Sequence, residues 1–171
     1  VIMVGEIRDR ETAEIAIQAS LTGHLVFSTI HTNDAPGALT RLVDMQVEPF
    51  LVASSLLAVL AQRLVRTICS HCKESYPANE EELQEIGLSL KDVKTLYRGR
   101  GCDHCQHTGY RGRLGIFELM PISDEIRSLI MSNSDAATIK SKARELGMKT
   151  LREDGALKVI AGVTTVAEVT R

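Results

Sequence analysis

The chain's four cysteines fall into two short words, Cys69-Ser-His-Cys72 and Cys102-Asp-His-Cys105, with 29 residues between them. A C-x-x-C turn presents two thiolates to one ion, and two such turns complete a tetrahedron of sulfurs around zinc at about 2.3 Å. No signal peptide precedes them, so reduced thiols are expected, and a redox C-x-x-C does not usually come twice. Structural zinc on Cys69, Cys72, Cys102 and Cys105 is the expectation, since four unrelated buried thiols would leave the symmetric spacing unexplained. Such a set has no open coordination position, so the metal would organise structure and not catalyse. His71 and His104 lie inside turns whose ends already supply the ligands and read as bystanders. Gly99, Gly101, Gly109, Gly112 and Gly115 would let the backbone turn tightly around the site. Arg98, Arg100, Arg111 and Arg113 form a local basic cluster, which keeps a zinc-ribbon nucleic-acid binder open against a solvated turn.

A second constellation pairs Glu6 with His31. Val1 to Val4 and Leu25 to Ile30 read as strands buried on both faces of a parallel sheet, joined by a helix from Arg10 to Leu21 that stops at Gly23. That order is a β-α-β unit, and ligands collect beyond the carboxyl ends of its strands, where Glu6 and His31 stand. A carboxylate there can hold magnesium or orient water, and an imidazole beside it can contact a terminal phosphate. Taken singly, such a residue is more often a surface or hinge residue than a catalyst.

The remaining elements follow from local signals. Ala35 to Met45 and Pro49 to Leu64 read as helices with Pro36 and Pro49 near their starts, and Asn79 with Glu82 caps a short helix in the polar insert. Arg113 to Met120 reads as a strand, followed by helices over 124–131, 135–146 and 151–161. Thr150 with Glu153 and Thr165 with Glu168 read as capping boxes, the second opening a last short helix.

With 44% hydrophobic and 25% charged residues, the composition is that of a globular protein. The apolar stretch from Phe50 to Val65 is interrupted by Ser54, Ser55, Gln62 and Arg63, so no membrane span is expected. Twenty basic against 22 acidic residues give no basic field, so nucleic acid is not expected as the main partner. The chain opens on a strand already under way, with no initiator Met, the pattern expected of a piece of a longer protein.

The segment Val1-Ile-Met-Val-Gly-Glu-Ile-Arg-Asp-Arg-Glu-Thr12 resembles the Walker B segment of the type II secretion and type IV pilus assembly ATPases. Leu21-Thr-Gly-His-Leu-Val-Phe-Ser-Thr-Ile-His-Thr-Asn33 resembles their histidine box. The likeness runs on through Gln62 to Arg66, both cysteine pairs, Gly109 to Glu118 and Leu151 to Gly155, so it covers essentially the whole chain. It implies an α/β fold: the C-terminal half of a RecA-like ATPase core over 1–66, a tetracysteine zinc-binding subdomain over 67–120 and a helical subdomain over 121–171. By the same resemblance, Glu6 is the Walker B carboxylate near Mg2+, His31 senses or positions the γ-phosphate of ATP, and Arg8 belongs to the nucleotide-binding word. His24 shares the histidine box but precedes the apolar strand, which leaves a structural role open. The tetracysteine insert points to the secretion and pilus-extension branches. A cytoplasmic homo-hexamer acting on inner-membrane assembly proteins is further implied. No G-x-x-x-x-G-K-[ST] phosphate loop occurs in these residues, so the chain alone is expected to be inactive. The alternative is a zinc-stabilised interaction module without catalysis.

Overall fold

The computed structural model describes residues 1–171, which divide into two compact units. The first comprises Val1–Ala61 and Leu119–Met148; the second comprises Gln62–Glu118 and Lys149–Arg171.

In the first unit, β1 (Ile2–Val4) and β2 (Val26–Ser28) pair in parallel, Ile2 opposite Val26 and Met3 opposite Phe27, and α1 (Arg10–Leu21) connects them. The start of α1 is fixed by Asp9, whose Oδ1 accepts the Thr12 amide at 2.8 Å, and Gly23 just beyond its end has φ +95°. The strands are parallel as expected but are not buried on both faces. Within the chain they have only each other as sheet partners, so Met3 and Phe27, side by side in the register, remain 74% and 52% exposed.

Helices α2 (Ala35–Asp44) and α3 (Pro49–Ser55) follow. The helix expected over 49–64 ends at Ser55, because the chain turns extended at Leu56 and becomes β3 (Ala58–Ile68). Ser54 and Ser55 bond back to the Phe50 and Leu51 carbonyls, and the apolar run after them pairs with a strand supplied far along the chain. After β4 (Lys73–Pro77), α4 (Glu80–Glu85) and β5 (Thr95–Gly99), that strand is β6 (Tyr110–Pro121), longer than the expected 113–120. Helices α5 (Asp124–Met131) and α6 (Ala136–Glu145) return to the first unit. Its core joins Ala13, Leu39, Val52, Met120, Ile126 and Ile139.

The second unit is built on antiparallel β4 and β5, Lys73 opposite Gly99 and Pro77 opposite Thr95, with α7 (Leu151–Ile160) and α8 (Val166–Thr170). Leu83, Leu96, Val159 and Val166 form its apolar centre. The capping box of Thr150 and Glu153 forms as expected, but the one at Thr165 and Glu168 does not. Glu168 instead accepts the Arg66 backbone amide at 2.8 Å and its guanidinium at 2.6 Å, while the Thr165 hydroxyl bonds Tyr110 at 2.9 Å. A guanidinium and a backbone amide together outcompete the single local amide of a capping box for the same carboxylate. No helix is long and apolar enough to cross a membrane.

Candidate functional site

Just beyond their last ladder residues the two parallel strands remain tied together. The Ile7 amide donates to the Thr29 carbonyl at 2.8 Å, and the Thr29 hydroxyl donates to the Gly5 carbonyl at 2.7 Å. These bonds bring the side chains at the two strand ends together. Arg8 Nη2 lies 2.5 Å from Glu6 Oε2, and His31 Nε2 lies 2.9 Å from Glu6 Oε1. The Glu6 side chain is 20% exposed, while those of Arg8 and His31 reach into solvent. Oε1 is itself buried and takes no hydrogen bond, although the His31 nitrogen lies 2.9 Å away as an ion-pair partner. The hydrogen bond from Arg8 holds the Glu6 carboxyl below its usual range; partial burial opposes this, and the charges of Arg8 and His31 reinforce it. The result is an ionised carboxylate with one engaged and one unsatisfied oxygen, flanked by two exposed nitrogen groups. His24 takes no part: its Nδ1 sits 3.2 Å from the Ala19 carbonyl, at the end of α1.

In the second unit the four sulfurs converge, all within 4.8 Å of one another. Cys69 and Cys102 sulfurs are 3.9 Å apart, and those of Cys72 and Cys105, and of Cys102 and Cys105, are 3.8 Å apart. A regular tetrahedron with metal–sulfur bonds of about 2.3 Å has edges of about 3.8 Å, so the spacing fits one tetrahedral ion. Cys69, Cys72 and Cys105 are buried, and the Cys105 sulfur accepts the amides of Cys102 at 3.2 Å and Gly109 at 3.3 Å. Burial pushes the Cys72 thiol up to about 12. At Cys105 burial pushes the same way, but those amides overcome it and draw the thiol down to about 6. The four groups could hold a metal ion.

His71 and His104 stack face to face, centroids 3.9 Å apart, and contribute no atom to the sulfur cluster. Of the basic cluster, Arg98 and Arg100 both engage Glu74, at 2.9 and 3.3 Å. The sequence reading missed the second task of Gly109, whose carbonyl takes the Cys69 amide at 2.9 Å. Glycine spacing signals turns but does not say which backbone a turn will meet.

The family model described as "Type II/IV secretion system protein" matches residues 1–171. The chain is 58% identical to type II secretion system protein E of Pseudomonas aeruginosa over 171 residues, 100% of the chain and 34% of that protein. It is 53% identical to the type IV pilus assembly ATPase PilB of Thermus thermophilus, over 99% of the chain and 19% of that protein. Among solved structures it resembles the pilus retraction motor PilT with bound ADP, with TM-score 0.64 and 25% identity over 98% of the chain and 38% of PilT. The Legionella pneumophila ATPase DotB shares the fold, with TM-score 0.60 and 21% identity over 98% of the chain and 37% of DotB. The chain thus spans about a third or less of the curated relatives it matches.

Proposed function

The chain belongs to the type II/IV secretion system protein family, and on that premise we propose that it is the C-terminal share of an ATP-hydrolysing motor driving type II secretion or type IV pilus assembly. The observation that carries this reading is the ionised Glu6 carboxylate, held between Arg8 and His31 at the carboxyl ends of two parallel strands. In this reading Glu6 is the Walker B carboxylate. Its unsatisfied Oε1 is the type of hard oxygen donor that Mg2+ takes directly or through water, so the residues fit that ion. Mg2+ would supply charge neutralisation on the phosphates; His31 and Arg8, with free reach into solvent, would contact the nucleotide's terminal phosphates. The four cysteines would hold Zn2+ as a structural ion, supported by sulfur spacings that match a tetrahedron.

By role, residues 1–66 are the nucleotide-facing part, 67–120 the metal-bound part and 121–171 the helical part. The working form would be a cytoplasmic homo-hexamer pressing on inner-membrane assembly proteins. Because catalysis of phosphoryl transfer is mostly positioning, these residues without a phosphate loop would bind ATP weakly and turn none over.

The test is steady-state ATPase activity of the parent protein carrying Glu6→Gln, with nucleotide affinity measured alongside. Turnover should fall by about 100-fold or more while nucleotide affinity stays near normal. A normal rate in that variant would make the Glu6 carboxylate structural and refute its Walker B role.

A further inference from the structure

We propose that Gly99 and Gly109 act as a backbone pin that sets the size of the metal centre and thereby its choice of ion. This rests on the reading of the four cysteines as a metal site and goes beyond it to residues that offer no ligand atom. Gly109 is bonded to both cysteine turns: its carbonyl accepts the Cys69 amide at 2.9 Å, and its amide donates to the Cys105 sulfur at 3.3 Å. Gly99 ends β5, and the next amide, of Arg100, donates to the Cys72 carbonyl at 3.0 Å. The two glycines therefore stand where the first turn meets the second.

They meet without side chains because none fits. A Cβ on Gly99 would lie 2.1 Å from the Gly109 oxygen and 2.7 Å from its carbonyl carbon and Cα. A Cβ on Gly109 would lie 2.5 Å from the Gly99 oxygen. These obstacles are backbone atoms and cannot rotate away as a side-chain end can. Gly109 also has φ +78°, but Gly99 is not in the left-handed region, so at Gly99 closeness alone demands glycine. Restoring ordinary contact of about 3.5 Å would open the gap by roughly 1 Å or more. The sulfur–sulfur distances of 3.8 to 3.9 Å leave no slack for zinc, so a wider gap must lengthen them or release a ligand. A pin of this kind acts like the outer contacts that orient metal ligands elsewhere.

The experiment titrates the 171-residue chain and its variants with Zn2+ and Cd2+ against a chromophoric chelator. Gly99→Ala should lose about 10- to 100-fold in Zn2+ affinity. It should lose less for the larger Cd2+, so that the Zn2+:Cd2+ preference falls, a change that simple loss of stability would not produce. Gly112→Ala is the control: φ is +86° there too, but a Cβ would meet nothing within 4 Å, and the preference should hold. An unchanged preference in a folded Gly99→Ala or Gly109→Ala chain overturns the pin. Should neither variant fold, hydrogen exchange of the unaltered chain decides. The Cys69 amide, held by the Gly109 carbonyl at 2.9 Å, must exchange slowly both with Zn2+ bound and after its removal, and fast exchange in the metal-free chain overturns the pin. A wild-type chain that binds neither ion refutes the metal reading itself, which is a distinct result.

Discussion

Replacing Glu168 with Ala removes the anchor of the C-terminal helix α8. The carboxylate accepts the Arg66 amide at 2.8 Å and the Arg66 guanidinium at 2.6 Å. Its side chain is 6% exposed, whereas that of Arg66 is 46% exposed. A hydrogen bond from the backbone to a buried charged acceptor contributes about 1.5–3 kcal/mol. The guanidinium arm, half in solvent, adds only about 0–1 kcal/mol. Water can reach the Arg66 strand once the carboxylate is gone, which favours the lower end of that range, so Glu168→Ala should cost about 2 kcal/mol. Glu168→Gln, which keeps one acceptor oxygen, should cost about 1 kcal/mol.

The hydrogen bond from Arg66 outweighs burial and depresses the Glu168 carboxyl. Its contribution is therefore fully present above the usual glutamate value of 4.5 and is lost as pH falls through the lower folded value. The wild type should lose its advantage over the Ala variant only in that acidic window. The chain has no Trp, and Tyr76, Tyr97 and Tyr110 all lie in the second unit, so tyrosine fluorescence during thermal unfolding reads that unit. For a unit of this size the expected shift in midpoint temperature is about 10 °C. A change below about 0.5 kcal/mol at pH 7, or an equal difference between the two chains at pH 3 and pH 7, would refute the reasoning.

Three further outcomes are expected. Chelation of the bound metal from reduced protein, or Cys72→Ser, should lower metal content from near one per chain to near zero and destabilise the second unit in the tyrosine signal; metal content near zero in intact wild type would contradict this. Leu39→Ala, at a side chain 1% exposed in the first unit's core, should cost about 2–5 kcal/mol in far-ultraviolet circular dichroism melts, and a cost below 1 kcal/mol would show that the site collapses freely. Light scattering of the 171-residue chain should give a monomer, and a concentration-independent hexamer would place the assembly determinants within these residues.

Where structure depends on bonds between near neighbours in the chain, the sequence was enough. The cap of Asp9 on α1, of Asn79 on α4, and of Thr150 with Glu153 on α7 each close over three residues, and the helices they open stand where expected. The sulfur cluster was legible because two C-x-x-C turns restrict the possible geometries. The meeting of Glu6 and His31 was legible because a β-α-β unit places both strand ends on one edge. What the sequence left undecided depended on partners far away in the chain. The apolar residues after Ser55 suit a helix as well as a strand, and the presence of β6 decided for a strand. Glu168 sits three residues from Thr165, yet it serves Arg66, 102 positions away, because a charged donor held there binds it more strongly than a local amide. The need for glycine at 99 and 109 comes from the backbone that each meets, a contact that spacing alone does not encode. Local hydrogen bonding is written in residue order, whereas the choice among distant partners is made only when burial and charge are settled together in the folded chain.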